Sequence, residues 1–344
     1  MKFALFHHVP WPTGASHGQV FRETSEQVQL AEALGFHAAW LAEHHFSRYG
    51  LASSSLLLAT HIAARTERIR LGTAIVIAPI RNPLLIAEET ATLDVLSDGR
   101  LDFGVGSGGP VELRAFGIDM DESRDRFLEV VDMVVGLWTA PVFSKEGRFF
   151  TVNDLSLSPR PVQQPHPPLY AAVRNPWSMA RAADRGMQFM TGVLPDTAVA
   201  IQQRRQFVDI AASRGKSPDA SQMPFFRYVY VAESEEQARR DTEEHLVWVW
   251  ECLEWQRLEG GEDGRSLDDW LRSRRSPSVR YDDLFNEKAF FGTPEKVRRQ
   301  IEAVRDREGV DYFGGNFCFG GLPHAKAMRS MELFAKEVMS HFPA

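Results

Sequence analysis

Short apolar runs alternate along the chain with segments in which apolar residues recur every three or four positions. Each run has the length of a β-strand and is nearly continuous in apolar residues, which is typical of strands buried on both faces of a parallel sheet. The eight candidate strands are KFALFHH, AAWLAEHHF, IRLGTAIVIAP, LDFGVGSGG, PPLYAAV, GMQFMTGV, FFRYVYVA and DYFGGNFCF. This alternation predicts a parallel sheet whose strands are separated by helices.

The segments between the strands have the periodicity of amphipathic helices. The helical periodicity is clearest in two apolar faces. The first consists of Val20, Thr24, Val28, Ala31 and Leu34, and the second of Phe127, Val130, Val134, Leu137 and Trp138. Gly35 follows the first face and suits the end of a helix. Strand–helix units repeated in this way predict a (β/α)8 barrel of the TIM type, which takes roughly 250 residues or more.

Two stretches interrupt the alternation. Residues 141–168 place a turn at residues 145–147 between β-prone residues and continue into a proline-rich tail, which predicts a hairpin and an extended connector. Residues 259–286 are polar, charged and glycine-containing, which predicts a mobile insertion where a lid would close. Neither stretch resembles a domain boundary, so we expect residues 1–344 to form one barrel domain.

Composition limits the classes of function. The formal net charge is −7, with acids and bases interspersed, so no basic stripe is available for nucleic acid or anionic lipid. No apolar run approaches the roughly 18 residues of a membrane span, and the N-terminus lacks a signal-peptide pattern. Cys252 and Cys318 are too few for a disulfide framework. We therefore expect a cytoplasmic protein without nucleic-acid or membrane partners.

Titratable residues follow the second candidate strand, as Glu43, His44 and His45. In a parallel barrel, functional residues lie where the strands reach their carboxyl ends. Successive strand residues point to opposite sides, so one histidine can face the barrel mouth while the other packs outward. Neighbouring strand residues do not easily bind one metal ion, and no His-Glu-x-x-His pattern occurs. A single functional histidine and no metal are favoured, with two packed histidines as the alternative.

A glycine-rich stretch, GVGSGG at residues 104–109, follows the fourth strand and formally matches the dinucleotide-binding pattern G-x-G-x-x-G. A Rossmann site also needs a helix that opens at the last glycine and an acid at the end of the next strand, about 20 residues on. Here Pro110 follows, and the strongly periodic helix begins near Glu122. The favoured interpretation is a glycine loop that lets a flat ligand lie against the backbone.

The fifth strand leads through Arg174 and Asn175 into a helix that has Ser178 in its first turn and ends at Gly186. Free N–H groups at a helix start, next to an arginine, form an anion pocket suited to a phosphate. The alternative is an ordinary N-cap with a surface arginine. The position at the predicted barrel mouth favours the pocket.

With these segments in view, the sequence resembles the bacterial luciferase-like flavin monooxygenases over most of its length. The stretches that carry the resemblance are MKFALF, AEHHFSRYGL, NPLLIAEETATLDVLSDGRLDFGVGSG, FGIDMDESRDRF and SMELFAKEVMSHF. The resemblance implies a TIM-type barrel, reduced FMN as the working cofactor and O₂ as co-substrate. It also implies a C4a-peroxyflavin on the reaction path and a separate flavin reductase that supplies the reduced FMN.

The resemblance also carries over residue by residue. His44 matches the histidine that lies beside the flavin and acts in catalysis, and Glu43 and His45 match positions that buttress the strand end. Ala74 and Ile75 match a site after the third strand where the backbone passes under the isoalloxazine, in relatives through a non-prolyl cis peptide.

The phosphate end of the cofactor shows departures from luciferase. Ser178 matches a hydroxyl on the FMN phosphate, whereas luciferase has an arginine where this chain has Ser107. Arg174, where luciferase has an acid, restores that charge. We therefore expect Gly106, Ser107, Arg174, Asn175 and Ser178 to bind the cofactor.

The resemblance implies a monooxygenase of a small organic substrate whose identity the sequence does not specify. Asn82 stands where luciferase has a second loop histidine, so light emission from a fatty aldehyde is not implied. Two alternatives stay open. One is an F420-dependent oxidoreductase of the same fold, and the other is a flavin-binding protein without turnover.

Two helical segments, LLLATHIAAR and LLIAEETATLDVLS, carry more apolar surface than one barrel-facing stripe requires. Relatives of this family dimerise through the same region. We therefore expect a homodimer with Glu88 near the interface, the alternative being burial beneath loops of the same chain.

Overall fold

The structure is a computed structural model that describes residues 1–257, 266–273 and 279–342. Its strands, in chain order, are β1 (Lys2–His7), β2 (Ala38–Leu41), β3 (Arg70–Thr73), β4 (Val76–Ile77), β5 (Leu101–Gly106), β6 (Phe143–Glu146), β7 (Thr151–Leu155), β8 (Leu169–Ala171), β9 (Gln188–Phe189), β10 (Phe225–Val231), β11 (Ala289–Gly292) and β12 (Tyr312–Asn316). Each of the eight predicted strands is present. The third predicted strand is divided into β3 and β4, and the short strand β11 was not predicted.

The helices of the described residues are α1 (His17–Ala33), α2 (Ser55–Ala63), α3 (Pro83–Leu96), α4 (Pro110–Ala115), α5 (Met120–Thr139), α6 (Pro176–Asp184), α7 (Thr197–Ser213), α8 (Glu235–Arg257), α9 (Leu267–Ser273), α10 (Tyr281–Lys288), α11 (Pro294–Glu308) and α12 (His324–Glu337). The faces predicted for α1 and α5 are buried, apart from the half-buried Leu34. Gly35 adopts φ +85° just beyond α1, which glycine does without a steric penalty.

The strands form the wall of a TIM-type barrel. Hydrogen-bonded neighbours follow the order β11-β10-β12-β1-β2-β3-β5-β8-β9, all pairs are parallel, and β4 pairs with β5. The two ends of this ladder are β9 and β11, and β9 forms no ladder with β10, the next barrel strand along the chain. Thr191 bridges this gap, because its N–H donates to the Pro224 carbonyl (3.2 Å) and its hydroxyl accepts from the Phe226 N–H (2.8 Å). The predicted (β/α)8 fold is therefore confirmed.

Large aromatic side chains fill the barrel interior. Trp40 and Tyr312 are fully buried there, and the indole N–H of Trp40 donates to the Tyr312 hydroxyl (2.8 Å). Gly72 on the neighbouring strand leaves room for this indole, because a Cβ at that position would lie 2.2 Å from Trp40 Cε3. A second apolar layer lies between the strands and the surrounding helices and contains the buried faces of α1 and α5.

The hairpin predicted within residues 141–168 is formed by β6 and β7, which pair antiparallel. The turn lies at residues 147–150, slightly later than predicted. The reason is a tertiary contact: the carboxylate of Glu129 on α5 accepts the backbone N–H groups of Arg148, Phe149 and Phe150 at 2.7–2.9 Å.

The insertion predicted at residues 259–286 is only partly described. Residues 259–265 and 274–278 lie outside the described residues, so the mobility of this segment stays a prediction, as does the single-domain organisation. Within it, α9 contacts the region after β2, because Asp268 accepts from Arg48 (2.6 Å) and from the Thr13 hydroxyl (2.7 Å). Among the described residues, no helix is long and apolar enough to cross a membrane.

Helices α2 and α3 expose apolar side chains. Leu57 on α2 is 72% exposed, and Leu85 and Leu96 on α3 are 54% and 61% exposed. Leu58, Ile62 and Ile86 cover the opposite faces of these helices and are buried. Glu88 also lies exposed on α3. This arrangement does not fit burial beneath loops of the same chain, and it supports the proposal that a second copy covers α2 and α3.

We expect the protein to be a homodimer at micromolar concentration, since burial of Leu57, Leu85 and Leu96 against a second copy removes their apolar surface from water. Light scattering of the wild type should give twice the chain mass of 38.9 kDa. The double variant Leu57→Lys and Leu85→Lys should shift the mass to that of the monomer. A control variant, Val142→Lys, changes an exposed residue next to β6 and should remain dimeric. A monomeric wild type would contradict the proposal.

Candidate active site

The sequence-predicted site residues follow four neighbouring strands at their carboxyl ends. His44 follows β2, Ala74 and Ile75 lie between β3 and β4, Gly106 and Ser107 end β5, and Arg174, Asn175 and Ser178 follow β8. These strands are consecutive in the sheet, in the order β2-β3-β5-β8. The fold therefore places all of these residues on one arc of the barrel mouth.

His44 is held from several sides. Its backbone N–H donates to the Ala52 carbonyl (2.9 Å), and its Nδ1 lies 3.3 Å from Oε1 of Glu112 on α4. The Tyr49 ring stands edge-on to the imidazole, with the ring centroids 4.8 Å apart. Gly50 permits this packing, because a Cβ there would lie 2.6 Å from His44 Cδ2. The side chain of His44 remains 24% exposed, so the ring can meet a ligand.

Glu112 is the carboxylate partner of His44. Burial raises the pKa of Glu112, but the hydrogen bond from His44 and the charges of His44 and His45 outweigh burial, and the pKa lies below its ordinary value. Glu112 is therefore ionised at neutral pH, and its carboxylate accepts a hydrogen bond from Nδ1–H of His44. This contact leaves Nε2, on the other side of the ring, as the nitrogen that can exchange a proton with a ligand.

Glu43 and His45 occupy structural positions. The buried Glu43 carboxylate accepts the N–H and hydroxyl of Ser55 (3.2 and 3.1 Å) and the N–H of Ile77 (3.1 Å). His45 Nε2 lies 3.6 Å from the same carboxylate and has no hydrogen-bond partner in the part of the chain that is described. These contacts agree with the expected buttressing of the strand end.

The backbone between β3 and β4 runs beside β5. The Ala74–Ile75 peptide bond is cis, as the resemblance implied. Ile77 is registered with Gly106 on β5. A Cβ at Gly106 would lie 2.4 Å from Ile75 Cδ1, so glycine lets the end of the Ile75 side chain approach the β5 backbone. The residue types therefore suit a planar group that rests against main chain.

The glycine pattern at residues 104–109 does not form a dinucleotide site of the Rossmann type. Gly104 and Gly106 lie within β5, where a Cβ at Gly104 would come within 2.0 Å of the Thr73 carbonyl oxygen. The helix that follows, α4, is only six residues long, and the long helix α5 begins at Met120. The glycines of β5 allow close strand packing, and the favoured interpretation, a loop against which a flat ligand lies, stays a prediction.

The start of α6 combines a cap with a free cation. Oδ1 of Asn175 accepts the N–H of Ser178 (2.9 Å), so the Asn175 side chain already serves the helix. Arg174 is exposed and forms no ion pair or hydrogen bond within the described part of the chain. Its charge nevertheless acts on Tyr49: burial raises the pKa of Tyr49 well above its ordinary value, and Arg174 opposes that rise. Arg174 therefore lies near the group that packs on His44.

A buried polar chain under His44 was not predicted from the sequence. His8 Nε2 lies 2.7 Å from the Tyr49 hydroxyl, and His8 Nδ1 lies 2.8 Å from Nδ2 of Asn316. The rings of His8 and His44 are 5.9 Å apart. Glu112 was missed as well, because it belongs to a helix too short to carry a period. The sequence signal for His8 was its position directly after His7, at the end of the first predicted strand.

No group of three or more histidine, cysteine, aspartate or glutamate residues suited to a metal ion occurs among residues 1–257, 266–273 and 279–342. Cys252 and Cys318 are free thiols. Burial raises the pKa of the Cys318 thiol to about 12, so this thiol does not ionise at neutral pH.

Comparison with known proteins identifies the class. The family model described as luciferase-like monooxygenase matches residues 1–311. The chain therefore belongs to the luciferase-like monooxygenase family and is an enzyme of that class.

Several curated relatives are similar over most of their length. The oxygenase component of a flavin-dependent trigonelline monooxygenase from Acinetobacter baylyi is 28% identical, and the match covers 99% of this chain and 96% of that protein. Limonene 1,2-monooxygenase from Rhodococcus erythropolis is also 28% identical, with 97% and 84% covered. A match of 35% identity to the uncharacterized protein y4vJ of Sinorhizobium fredii spans 63% of each chain.

Solved structures support the fold. Monooxygenase RslO1 from Streptomyces bottropensis is 30% identical, covers both chains completely and gives a TM-score of 0.82. The oxygenating constituent of 3,6-diketocamphane monooxygenase from Pseudomonas putida, a type II Baeyer-Villiger enzyme in complex with FMN, is 20% identical and gives a TM-score of 0.79, with 98% of this chain and 97% of that chain covered.

Proposed function

We propose that the protein is the oxygenase component of a two-component flavin monooxygenase that uses reduced FMN and O₂ to oxygenate a small organic substrate. The observation that carries the proposal is the closely packed backbone at Ala74, Ile75 and Gly106, which lies one strand away from the exposed edge of His44. A surface of this kind suits a planar isoalloxazine. The names of the relatives, which include flavin-dependent oxygenase components, support the same conclusion.

The residues present fit FMN at both of its ends. The isoalloxazine would rest on Ala74, Ile75 and Gly106, beside Ser107. The phosphate would meet Arg174 and the hydroxyl of Ser178 at the start of α6, because helix starts and arginine both favour anions. Asn175 contributes by capping α6 and so orients Ser178. Bound reduced flavin supplies the reaction with O₂, which is the chemistry of the cofactor itself.

The chain contributes a positioned proton carrier. Glu112 accepts a hydrogen bond from Nδ1–H of His44 and stabilises the ring when it becomes charged, so His44 can take or give a proton at Nε2. The exclusion of bulk water falls to the aromatic side chains around the mouth, which include Tyr49, Tyr228 and Phe319. A charged His44 in a dry pocket directs its proton to the ligand rather than to solvent.

Two alternatives remain testable. An F420-dependent oxidoreductase shares this fold, as an F420-dependent secondary alcohol dehydrogenase of 19% identity shows with a TM-score of 0.76. A non-catalytic flavin-binding protein would bind FMN without altering its oxidation. The relation to oxygenase components and the His44–Glu112 pair favour the oxygenase. We further propose that it acts in the cytoplasm with a separate flavin reductase.

The proposed function is tested by mixing the protein with FMN and NADH, first without O₂. The chain has no second phosphate site recognisable from its sequence for a nicotinamide dinucleotide, so we expect slow flavin bleaching that an added flavin reductase accelerates. On admission of O₂, the protein should change the absorption transient of flavin reoxidation. Rapid bleaching without reductase would overturn the two-component proposal. Activity with F420 alone would favour the F420-dependent oxidoreductase. Flavin reoxidation that the protein does not alter would favour the non-catalytic flavin-binding protein.

The variant His44→Ala tests the proton carrier. We expect it to retain the fold and most of the FMN affinity while product formed per reduced flavin falls by about 10²-fold, the scale of lost acid–base help. Any substrate for which the wild type forms product serves, with hydrogen peroxide release as the complementary measurement. A control variant, His341→Ala, changes an exposed histidine near the end of the described chain and should match the wild type. An unchanged product yield in His44→Ala would rule out the role.

The variant Arg174→Ala tests the phosphate site. We expect FMN binding to weaken by roughly 1.5 to 3 kcal/mol, the scale of a charge-assisted hydrogen bond, and riboflavin binding to change much less. Fluorescence titration of the two flavins measures both. Arg181→Ala is the matched control, because it removes the same charge from the far end of α6. Equal losses for FMN and riboflavin would place Arg174 away from the phosphate.

A further inference from the structure

His8 uses both of its ring nitrogens within a closed polar chain. It is fully enclosed at the end of β1, between the loop after β2 and strand β12. One nitrogen, Nδ1, lies 2.8 Å from the amide nitrogen of Asn316, and the other, Nε2, lies 2.7 Å from the Tyr49 hydroxyl. The protonation state of His8 is therefore decided by which of these partners donates.

The amide of Asn316 determines the direction of the chain. Its Nδ2 can only donate, so Nδ1 of His8 must accept and the proton of the neutral ring lies on Nε2. Nε2–H then donates to the Tyr49 oxygen. The opposite amide orientation would leave both N–H donors of Asn316 without a partner in the described residues, whereas the observed one leaves one N–H and the Oδ1 acceptor, and a buried carbonyl tolerates this better than a buried N–H does. The observed orientation is the less costly.

A proton added to His8 has no acceptor in this arrangement. It would have to attach to Nδ1, which already faces the N–H of Asn316. Burial lowers the pKa of His8 well below its ordinary value, and the nearby charges of His44 and His7 lower it further. The hydrogen-bond geometry and the electrostatic environment therefore both disfavour a second proton on His8.

The groups around His8 and His44 carry both positive and negative charge. Glu112 faces His44 from α4, and Arg174 acts on Tyr49 from the loop after β8. The remaining titratable groups close to this chain are His7 on β1, Tyr228 on β10 and Cys252 on α8. Glu112, the carboxylate in this set, contacts His44 rather than His8. The Glu112 carboxylate therefore favours a positive charge on His44 over one on His8.

We propose that Asn316 is a positioning residue that holds His8 neutral through its amide donor and thereby reserves the positive charge of the His8–His44 pair for His44. Two like charges with ring centroids 5.9 Å apart would repel, so a charged His8 would compete with the protonation of His44. Tyr49 links the two functions, because its hydroxyl accepts from His8 and its ring packs on His44. The inference rests on the proposed function only in treating His44 as the proton carrier.

The first test is direct and needs no flavin. Histidine-labelled wild-type protein is followed by nitrogen NMR between about pH 5 and 8, the range in which histidine normally titrates. His8, identified by the signal lost in His8→Gln, should stay neutral throughout and carry its proton on Nε2. A proton on Nδ1, or titration of His8 within this range, would overturn the proposal.

The second test changes the direction of the chain. Asn316→Asp replaces the donor by a carboxylate, so His8 should become protonated on both nitrogens at neutral pH. The charge on His8 opposes the protonation of His44, and the added carboxylate offsets part of that effect, so the pH profile of coupled oxygenation should shift to lower pH by at most about 1 pH unit. Asn153→Asp, on the exposed strand β7, adds the same charge elsewhere and should leave both readouts unchanged.

A neutral His8 in Asn316→Asp, or the same shift in the Asn153→Asp control, would contradict the proposal. Should Asn316→Asp fail to fold, the wild-type tautomer of His8 still decides. Because the NMR measurements use flavin-free protein, they remain valid if the protein proves not to oxygenate any substrate. The two proposals therefore fail in distinguishable ways.

Discussion

The buried carboxylate of Glu43 is the contact on which the site depends. It accepts hydrogen bonds from Ser55 at the start of α2 and from Ile77 on β4, and Arg81 Nη1 lies 3.8 Å from it. A buried carboxylate without such partners would cost several kcal/mol, so its position and theirs are mutually determined. The adjacent residue His44 and the peptide between Ala74 and Ile75 are consequently held in one rigid unit.

His44 combines this rigid support with two different electrostatic neighbours. Glu112, brought in by the loop after β5, contacts one ring nitrogen, and the chain from Asn316 through His8 to Tyr49 lies on another side. Of these residues, His8 follows β1, Glu112 follows β5 and Asn316 ends β12. These strands are far apart in sequence. A barrel makes this possible because all its parallel strands deliver their carboxyl ends to the same mouth. One histidine is thus kept available for charge while its neighbour is kept neutral.

The fold was largely predictable because its evidence is periodic. The faces of α1 and α5 and the continuous apolar runs of the barrel strands are repeated local signals, and all were confirmed. Strand β11 was missed because four residues carry no period, and it pairs with β10. The division of the third predicted run into β3 and β4 was missed because β4 is defined by its pairing with β5. The hairpin turn was displaced because Glu129, some 20 residues away, holds the turn backbone.

By itself, the sequence determined the barrel class, the arc of residues from His44 to Ser178, and the resemblance to flavin monooxygenases, because strand ends and glycine positions are local properties. Only the tertiary structure decided which polar groups meet. The pairing of Glu112 with His44 and the direction of the Asn316–His8–Tyr49 chain depend on distances between residues up to 308 positions apart. Hydrogen bonding is directional and short-ranged, so no pattern along the chain specifies such partners.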